Sequence, residues 1–322
     1  MTGDEGLSYA AAGVDIEAYE RMLERVRPLI AATHGPEVVT GVGPFAGLYE
    51  VGGARLAAST DSVGTKTKVA IACGRHRGIG HDLVNHCVND IDTAGARPLF
   101  FLDYFASGRL EEGVFGEVVA GLAEACTENG CALLGGETAE MPGMYALGDY
   151  DLVGFAVGLV DPGPPRPPVR AGDLLVGLPS SGLHTNGFSL VRKVFEDVAL
   201  DQVFPDLGRP LGEVLLEPHR SYLRELRTLP WKAAAHVTGG GLLGNVHRAL
   251  PEGLAAELDR STWEVPPVFR LIARRGGVAD DEMLGTFNMG LGMVLVTGEP
   301  LPGLPVVGRV VEQSGAQRVR VR

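Results

Sequence analysis

The sequence predicts an α+β protein built from two α/β-type domains with mixed sheets, and three observations predict it. At 322 residues the chain is long for one hydrophobic core and suits two domains of about 150 residues. The stretch "DPGPPRPPVRAGD" carries five prolines between Pro162 and Pro168, which fit neither a helix nor a central strand and so mark a connector. On both sides of it, apolar strands and helical periodicities follow one another in mixed order rather than as strict βαβα repeats, which favours mixed sheets over a doubly wound fold. The expected organisation is an N-terminal domain over 1–160, a connector over 161–172 and a C-terminal domain over 173–322. No sequence repeat relates the halves.

The elements follow in order. Residues 15–32 have the spacing of an amphipathic helix, and "TGVGPFAG" is a glycine-rich turn. "LYEVGGARLAAST" predicts a hairpin around Gly52-Gly53. Residues 79–94 form a helix ending at Gly95, "RPLFFLDYF" a buried strand, and 111–129 a helix closed by Asn129-Gly130. "CALLGGE" is a short strand running into a glycine turn, and "DLVGFAVGLV" another strand. Beyond the connector, "DLLVGL" is a strand and "NGFSLVRKVF" opens a helix. "AAAHVTGGGLLGNVHRAL" is a strand, a glycine turn and a helix. "MGLGMVLVT", "PVVGRVV" and "QRVRV" supply the last strands.

Composition narrows the function classes. A formal charge of −12 argues against nucleic acid or an anionic membrane as partner. A phosphate ester would have to be held locally, by backbone N–H groups, a few cations or a divalent metal. No Lys or Arg precedes Arg21, which speaks against a signal peptide. The longest apolar runs, such as "PLFFL", fall far short of the ~20 residues that span a bilayer. The four cysteines, Cys73, Cys87, Cys126 and Cys131, form no CxxC pair and read as buried reduced thiols of a cytoplasmic protein.

Five stretches could carry chemistry. "TDSVGTK" ends a strand in Asp61, turns at Gly64 and presents Thr65 and Lys66. It is no Walker A loop, since the order is Gly-Thr-Lys. A carboxylate there can hold Mg²⁺ against phosphate oxygens and a lysine can serve as a point charge; the alternative is a solvated turn with a surface ion pair. Lysine is scarce here, four residues among 28 basic ones, and Lys66 and Lys68 are two of the four. In "GHDLVNHCVNDIDTAG", Asp82, His86, Asn89 and Asp90 share one helix face. The alternative there is an amphipathic helix facing water. His81 and His86 match no zinc spacing, whereas Asn89 and Asp90 suit Mg²⁺. "LLGGETAEMPGMY" places Glu137 and Glu140 directly after two glycines.

The last two stretches lie beyond the connector. "PSSGLHTNGFSL" offers Ser180, Ser181, Gly182, His184, Asn186 and Gly187 ahead of a helix, and "HVTGGGLLGN" offers Thr238, Gly239, Gly240 and Gly241 ahead of another. Both are arrangements that bind anions through free N–H groups and the helix dipole. His184 is a candidate catalytic residue, with a capping role as its alternative.

Taken together and in this order, "LSYAAAGVDI", "DSVGTK", "CVND", "GGETAEMPGMY", "SSGLHTNGFSLVRK", "HVTGGGLLGN" and "FNMGLGM" resemble the phosphoribosylformylglycinamidine cyclo-ligase (aminoimidazole ribonucleotide synthetase) family, from about Leu7 to Val296. The resemblance implies ring closure of formylglycinamidine ribonucleotide (FGAM) to 5-aminoimidazole ribonucleotide (AIR) with ATP and Mg²⁺. It also implies a C-terminal α-β sandwich and a homodimer formed through the N-terminal sheet. Carried over residue by residue, it implies Asp61, Asn89, Asp90 and Glu137 as the metal–nucleotide set and Gly64, Thr65 and Lys66 as a phosphate turn. Gly41, Gly43 and Phe45 would lie against the nucleotide, with the arm around 7–16 closing over it. Asp61, Lys66 and His184 are the catalytic candidates, and the loops at 180–187 and 238–241 the substrate candidates.

Two departures stand out: Ser62 replaces a usual glycine, and the segment after Val296 lacks the expected last helix. Other readings are an ATP-using relative such as a small-molecule kinase or selenophosphate synthetase, a non-catalytic nucleotide-binding partner, and a metallohydrolase. The first cysteine, Cys73, is late for a selenophosphate synthetase, and the retained acids speak against a dead homologue.

Overall fold

The structure, a computed structural model, describes residues 6–322 apart from the side chain of Glu17; the first five residues of the expected N-terminal domain lie outside the described residues. The described residues divide into two compact units, one of residues 21–163 with 215–227, the other of residues 6–20, 164–214 and 228–322. This departs from the expected split at the connector in two places: the N-terminal arm and a segment from the middle of the second half each belong with the opposite unit.

In the first unit, the part of α1 (Ile16–Ala31) from residue 21 onward leads to β1 (Val38–Thr40), β2 (Gly47–Val51), β3 (Ala54–Ser62), α2 (Lys66–Cys73), α3 (Arg77–Thr93), β4 (Ala96–Ser107), α4 (Glu112–Glu128), β5 (Ala132–Glu140) and β6 (Tyr150–Val160). The strands form one sheet in the order β1-β2-β3-β6-β4-β5, with β4 and β5 parallel and the other neighbours antiparallel. Val51 pairs with Ala54, so Gly52 and Gly53, at φ 57° and 79°, form the two-residue turn that left-handed backbone makes favourable.

Leu83, Cys87 and Ile91 of α3 recur at i, i+4, i+8 and are fully buried, giving the stripe that packs on the sheet. Gly154 and Gly158 of β6 make the close approach feasible: a Cβ there would meet Leu83 Cγ and Ile91 Cδ1, each at 2.8 Å. The opposite face of the sheet, turned away from α3 and α4, carries Leu56, Phe100, Leu102, Val153, Phe155 and Leu159. Phe155 is 40% exposed in a central strand.

In the second unit, β7 (Leu174–Pro179), α5 (Phe188–Val194), α6 (Leu211–Leu215), α7 (Leu223–Thr228), β8 (Ala233–His236), α8 (Gly241–Asn245), β9 (Leu254–Leu258), α9 (Pro267–Gly276), α10 (Asp280–Thr286), β10 (Leu291–Thr297), β11 (Val306–Glu312) and β12 (Val319–Val321) follow in the chain, with α7 and the end of α6 falling in the segment that joins the first unit. The sheet order is β12-β9-β11-β7-β10-β8. All seven residues of β10 are buried, as a central strand covered on both faces requires. No helix separates β10 from β11, as the sequence indicates.

Several local expectations change. "CALLGGE" is not a short strand before a turn: β5 runs on through Gly135 and Gly136 to Glu140. A Cβ on Gly136 would lie 2.5 Å from the carbonyl and the carboxylate of Asp103, so the glycine admits a neighbouring side chain rather than a turn. The helices after the two glycine loops of the second unit are only seven and five residues long. The helix dipole expected to act there is correspondingly weak.

Candidate active site

The register of the first sheet sets which side chains can act together. Ala57, Ser59 and Asp61 of β3 alternate onto the face that meets α3. Asp61 Oδ2 lies 2.8 Å from His86 Nε2, and Ser59 Oγ donates to Asp90 Oδ2 at 3.1 Å while also lying 3.3 Å from the Phe45 carbonyl. Asp61, His86, Asp90, Ser59 and the glycine-rich 41–46 turn therefore form one neighbourhood at the junction of β3 and α3. Burial alone disfavours a charged His86, but the attraction of Asp61, and then of Asp90 and Asp82, outweighs it and raises its pKa to about 9. The imidazole, which matches no zinc spacing in the sequence, thus stands among acids that favour its charged form. Nothing in the His spacing signals this, because its partner Asp61 comes from another element.

The opposite side of α3 does a different job. Residues 216–222 cross it as irregular chain, and buried backbone groups need partners. Polar side chains supply them. Asp82 Oδ1 accepts from His219 N at 2.7 Å. Asn85 Nδ2 donates to His219 O at 2.7 Å, and Asn89 Nδ2 to Arg220 O at 2.9 Å. Asn89 Oδ1 accepts from Tyr222 N at 2.8 Å. Asn129 closes the network, donating to Asn85 Oδ1 at 2.7 Å and accepting from Ser221 Oγ at 2.6 Å.

Lys66 belongs to the same network. Its ammonium is fully buried, 2.8 Å from Asp82 Oδ1 and 2.9 Å from Glu217 O. Burial lowers the pKa of Lys66 and raises that of Asp82, each opposed by the attraction between them.

In the second unit, β7 and β8 both pair antiparallel with β10, so the ends of β7 and β8 and the start of β10 meet at one edge. The loops 180–187, 237–240 and 286–290 emerge there together. Asn288 ties two of them: Ser180 Oγ bonds Asn288 Oδ1 at 3.1 Å, and Asn288 Nδ2 donates to Gly182 O at 2.9 Å. Asn245 Nδ2 gathers the carbonyls of Thr238, Gly239 and Gly241 at 2.9–3.2 Å.

The glycines are dictated by neighbours: a Cβ on Gly187 would lie 2.2 Å from the Phe287 ring, and one on Gly241 2.3 Å from Leu284 O. Among the described residues, the non-glycine positions with left-handed backbone are His184 (φ 62°) and Met289 (φ 51°), both on this edge; such strain gathers at functional sites. Asn186 Nδ2 is buried here without a protein acceptor, beside Gly239. The N-terminal arm is tied to helices α9 and α10 of this unit. Leu7 N donates to Gly276 O at 3.1 Å and Tyr9 N to Glu282 Oε1 at 2.6 Å, and the Tyr9 phenol, its pKa raised by burial, feels the Gly187 backbone N–H as an opposing influence.

Comparison with known proteins decides the family. The AIR synthase related protein N-terminal domain matches residues 43–160, and the corresponding C-terminal domain matches 170–315. The chain is 53% identical over 308 residues to phosphoribosylformylglycinamidine cyclo-ligase of Myxococcus xanthus (strain DK1622), covering 91% of this chain and 89% of that protein. It is 50% identical over 300 residues to the enzyme of the same name from Nitrosospira multiformis (strain ATCC 25196 / NCIMB 11849 / C 71), covering 90% and 85%. The chain belongs to the phosphoribosylformylglycinamidine cyclo-ligase family. A solved thiamine monophosphate kinase from Aquifex aeolicus, 17% identical, shares the fold with a TM-score of 0.63 over 96% of this chain and 98% of its own.

Within the cyclo-ligase motifs, the structure redistributes the residues expected at the site. Asp61 and Asp90 come together with Phe45, and the loops 180–187 and 238–241 adjoin. Three residues of the expected metal and phosphate set are placed otherwise. Lys66 is locked in a buried ion pair, because α2 begins at this residue and turns its side chain inward to Asp82. Asn89 spends both ends of its amide on residues 220 and 222. Glu137 lies in register with Tyr104, Val153 and Ser62, three strands and roughly 14 Å from β3 at about 4.8 Å per strand, and on the face away from Asp61. Within one chain it cannot share an ion with Asp61. His184 is fully buried, and its Nε2 accepts from Ser181 N at 3.2 Å, so in this structure it shapes the loop.

Proposed function

We propose that this chain closes the imidazole ring of FGAM to give AIR, consuming ATP and releasing ADP and phosphate, as a step of purine biosynthesis. The observation that carries the reading is the identity of 50–53% to enzymes of that name over about nine-tenths of the chain. The fitting chemistry is transfer of the ATP γ-phosphoryl to the formyl amide oxygen, after which an internal nitrogen attacks the activated carbon and phosphate leaves. Such a reaction asks the protein mainly to position two substrates and balance charge.

The donors at the β3–α3 junction, the Asp61 and Asp90 carboxylates and the Phe45 carbonyl, are hard oxygens that suit Mg²⁺. Asn89 and Glu137 do not fit that set. Mg²⁺ would neutralise phosphate charge, and the 41–46 turn would lie against the nucleotide. In the second unit the unpaired Asn186 amide, the Ser180–Gly182 turn and the Thr238–Gly241 turn suit a phosphate-bearing ligand, with the Tyr9 arm as cover. Relatives of the same fold have been solved with AMPPCP and TMP and with ATP, which supports nucleotide use.

We place the enzyme in the cytoplasm as a homodimer. No described helix is long and apolar enough to cross a membrane, and the apolar outer face of the first sheet is suited to a second copy. The mechanism is tested with FGAM labelled with ¹⁸O in the formyl group. The label is expected in the released phosphate; its appearance in water instead would contradict activation by phosphorylation.

A further inference from the structure

Helix α4 ends in a Schellman motif. Cys131 N donates to Cys126 O at 2.9 Å and Gly130 N to Thr127 O at 3.1 Å, with Gly130 left-handed at φ 66°. This closure brings together the side chains three residues inside the helix end and two beyond it, a pair that is usually apolar. Here both are cysteines, close enough for each thiol to shift the other, Cys126 upward and Cys131 downward. A backbone hydrogen bond between two residues also holds their Cα atoms at roughly the 4.4–6.8 Å separation that a disulfide needs. Cys126 is buried and Cys131 half-buried, so Cys131 is the more open of the two to solvent.

We propose that Cys126 and Cys131 form a reversible redox site, closed to a disulfide by a peroxide. The Cys131 thiolate attacks the peroxide oxygen, taking it as a sulfenic acid while the other half leaves as an alcohol or water. The Cys126 thiol then attacks the sulfenic sulfur and water departs, so two thiols and one peroxide give one disulfide, one alcohol or water, and one further water. The assignment of roles follows exposure. It is reinforced by the neighbouring Cys126 thiol, which favours the thiolate of Cys131. The site touches function through position: Cys131 immediately precedes β5, the edge strand that carries "GGETAE". The proposal does not depend on which reaction the enzyme catalyses.

The test is intact-mass spectrometry of the full chain after hydrogen peroxide treatment, with alkylation under denaturing conditions. The monomer should lose about 2 Da and take up two alkyl groups instead of the four that its free cysteines allow, with dithiothreitol restoring all four. Cys131→Ala and Cys126→Ala should each abolish the 2 Da loss, and Cys73→Ala should leave it intact. Thermal melting of each variant separates misfolding from loss of the bond, and the wild-type mass stands by itself. Four alkylated thiols after peroxide, a sulfinic acid on Cys131 beside a free Cys126, or disulfide-linked dimers in place of the internal bond would each overturn the proposal.

Discussion

At the scale of single residues, Lys66 and His86 exchange the roles their motifs suggest. Lys66 sits in a Gly-Thr-Lys turn that reads as a phosphate contact, yet its ammonium is wholly enclosed by Asp82 and Glu217. Removing one partner of such a pair leaves an uncompensated buried charge, which costs about 3–5 kcal/mol. Lys66→Ala is therefore expected to lower the unfolding free energy by that order in urea titrations. An unchanged midpoint would instead place the ammonium outside the core. His86 gives a pH signature. Its pKa is raised from 6.5 to about 9 in the folded chain, so its contribution is fully present below pH 6.5 and lost as pH rises through 9. In metal-free protein the unfolding free energy should fall across that window by up to ~3 kcal/mol, and His86→Gln should flatten the decline. A wild-type profile as flat as the variant's would show that the imidazole is not charged.

At the scale of elements, α3 explains why sequence pattern was informative about place but not about purpose. Its polar residues are spaced for one face, as the sequence indicates, but that face is divided. Asp82, Asn85 and Asn89 satisfy the backbone of residues 217–222, while His86 and Asp90 turn towards β3. The covering segment lies more than a hundred residues away in the chain, so no local periodicity could announce it. The hairpin at Gly52-Gly53 was legible because its cause is local: two left-handed glycines and nothing else.

The outer face of the first sheet carries its own prediction. Phe155 is 40% exposed on a central strand, and large apolar patches of this kind mark interfaces. Phe155→Glu should convert a dimer to a monomer in sedimentation velocity. A wild-type chain that is already monomeric at micromolar concentration would remove that interface.

At the scale of the whole molecule, the class of fold and most strands follow from apolar runs and their mixed order. The membership of the two units does not, because the arm at 7–20 and the segment 215–227 each pack away from their sequence neighbours. The candidate site was legible where glycine loops mark backbone crowding, as at Gly187 and Gly241. It was not legible where a motif residue was recruited to the core, as with Lys66, or where sheet order separates residues, as with Asp61 and Glu137.

What unites these parts is one claim, that the chain is an ATP-dependent cyclo-ligase. The most direct test is ADP release by the purified chain with Mg-ATP, with and without FGAM, while AIR is followed by its diazo-coupled colour. ADP and AIR formed in equal amounts, and only when FGAM is present, is the predicted result. ADP release indifferent to FGAM, or FGAM consumed without AIR, would contradict it.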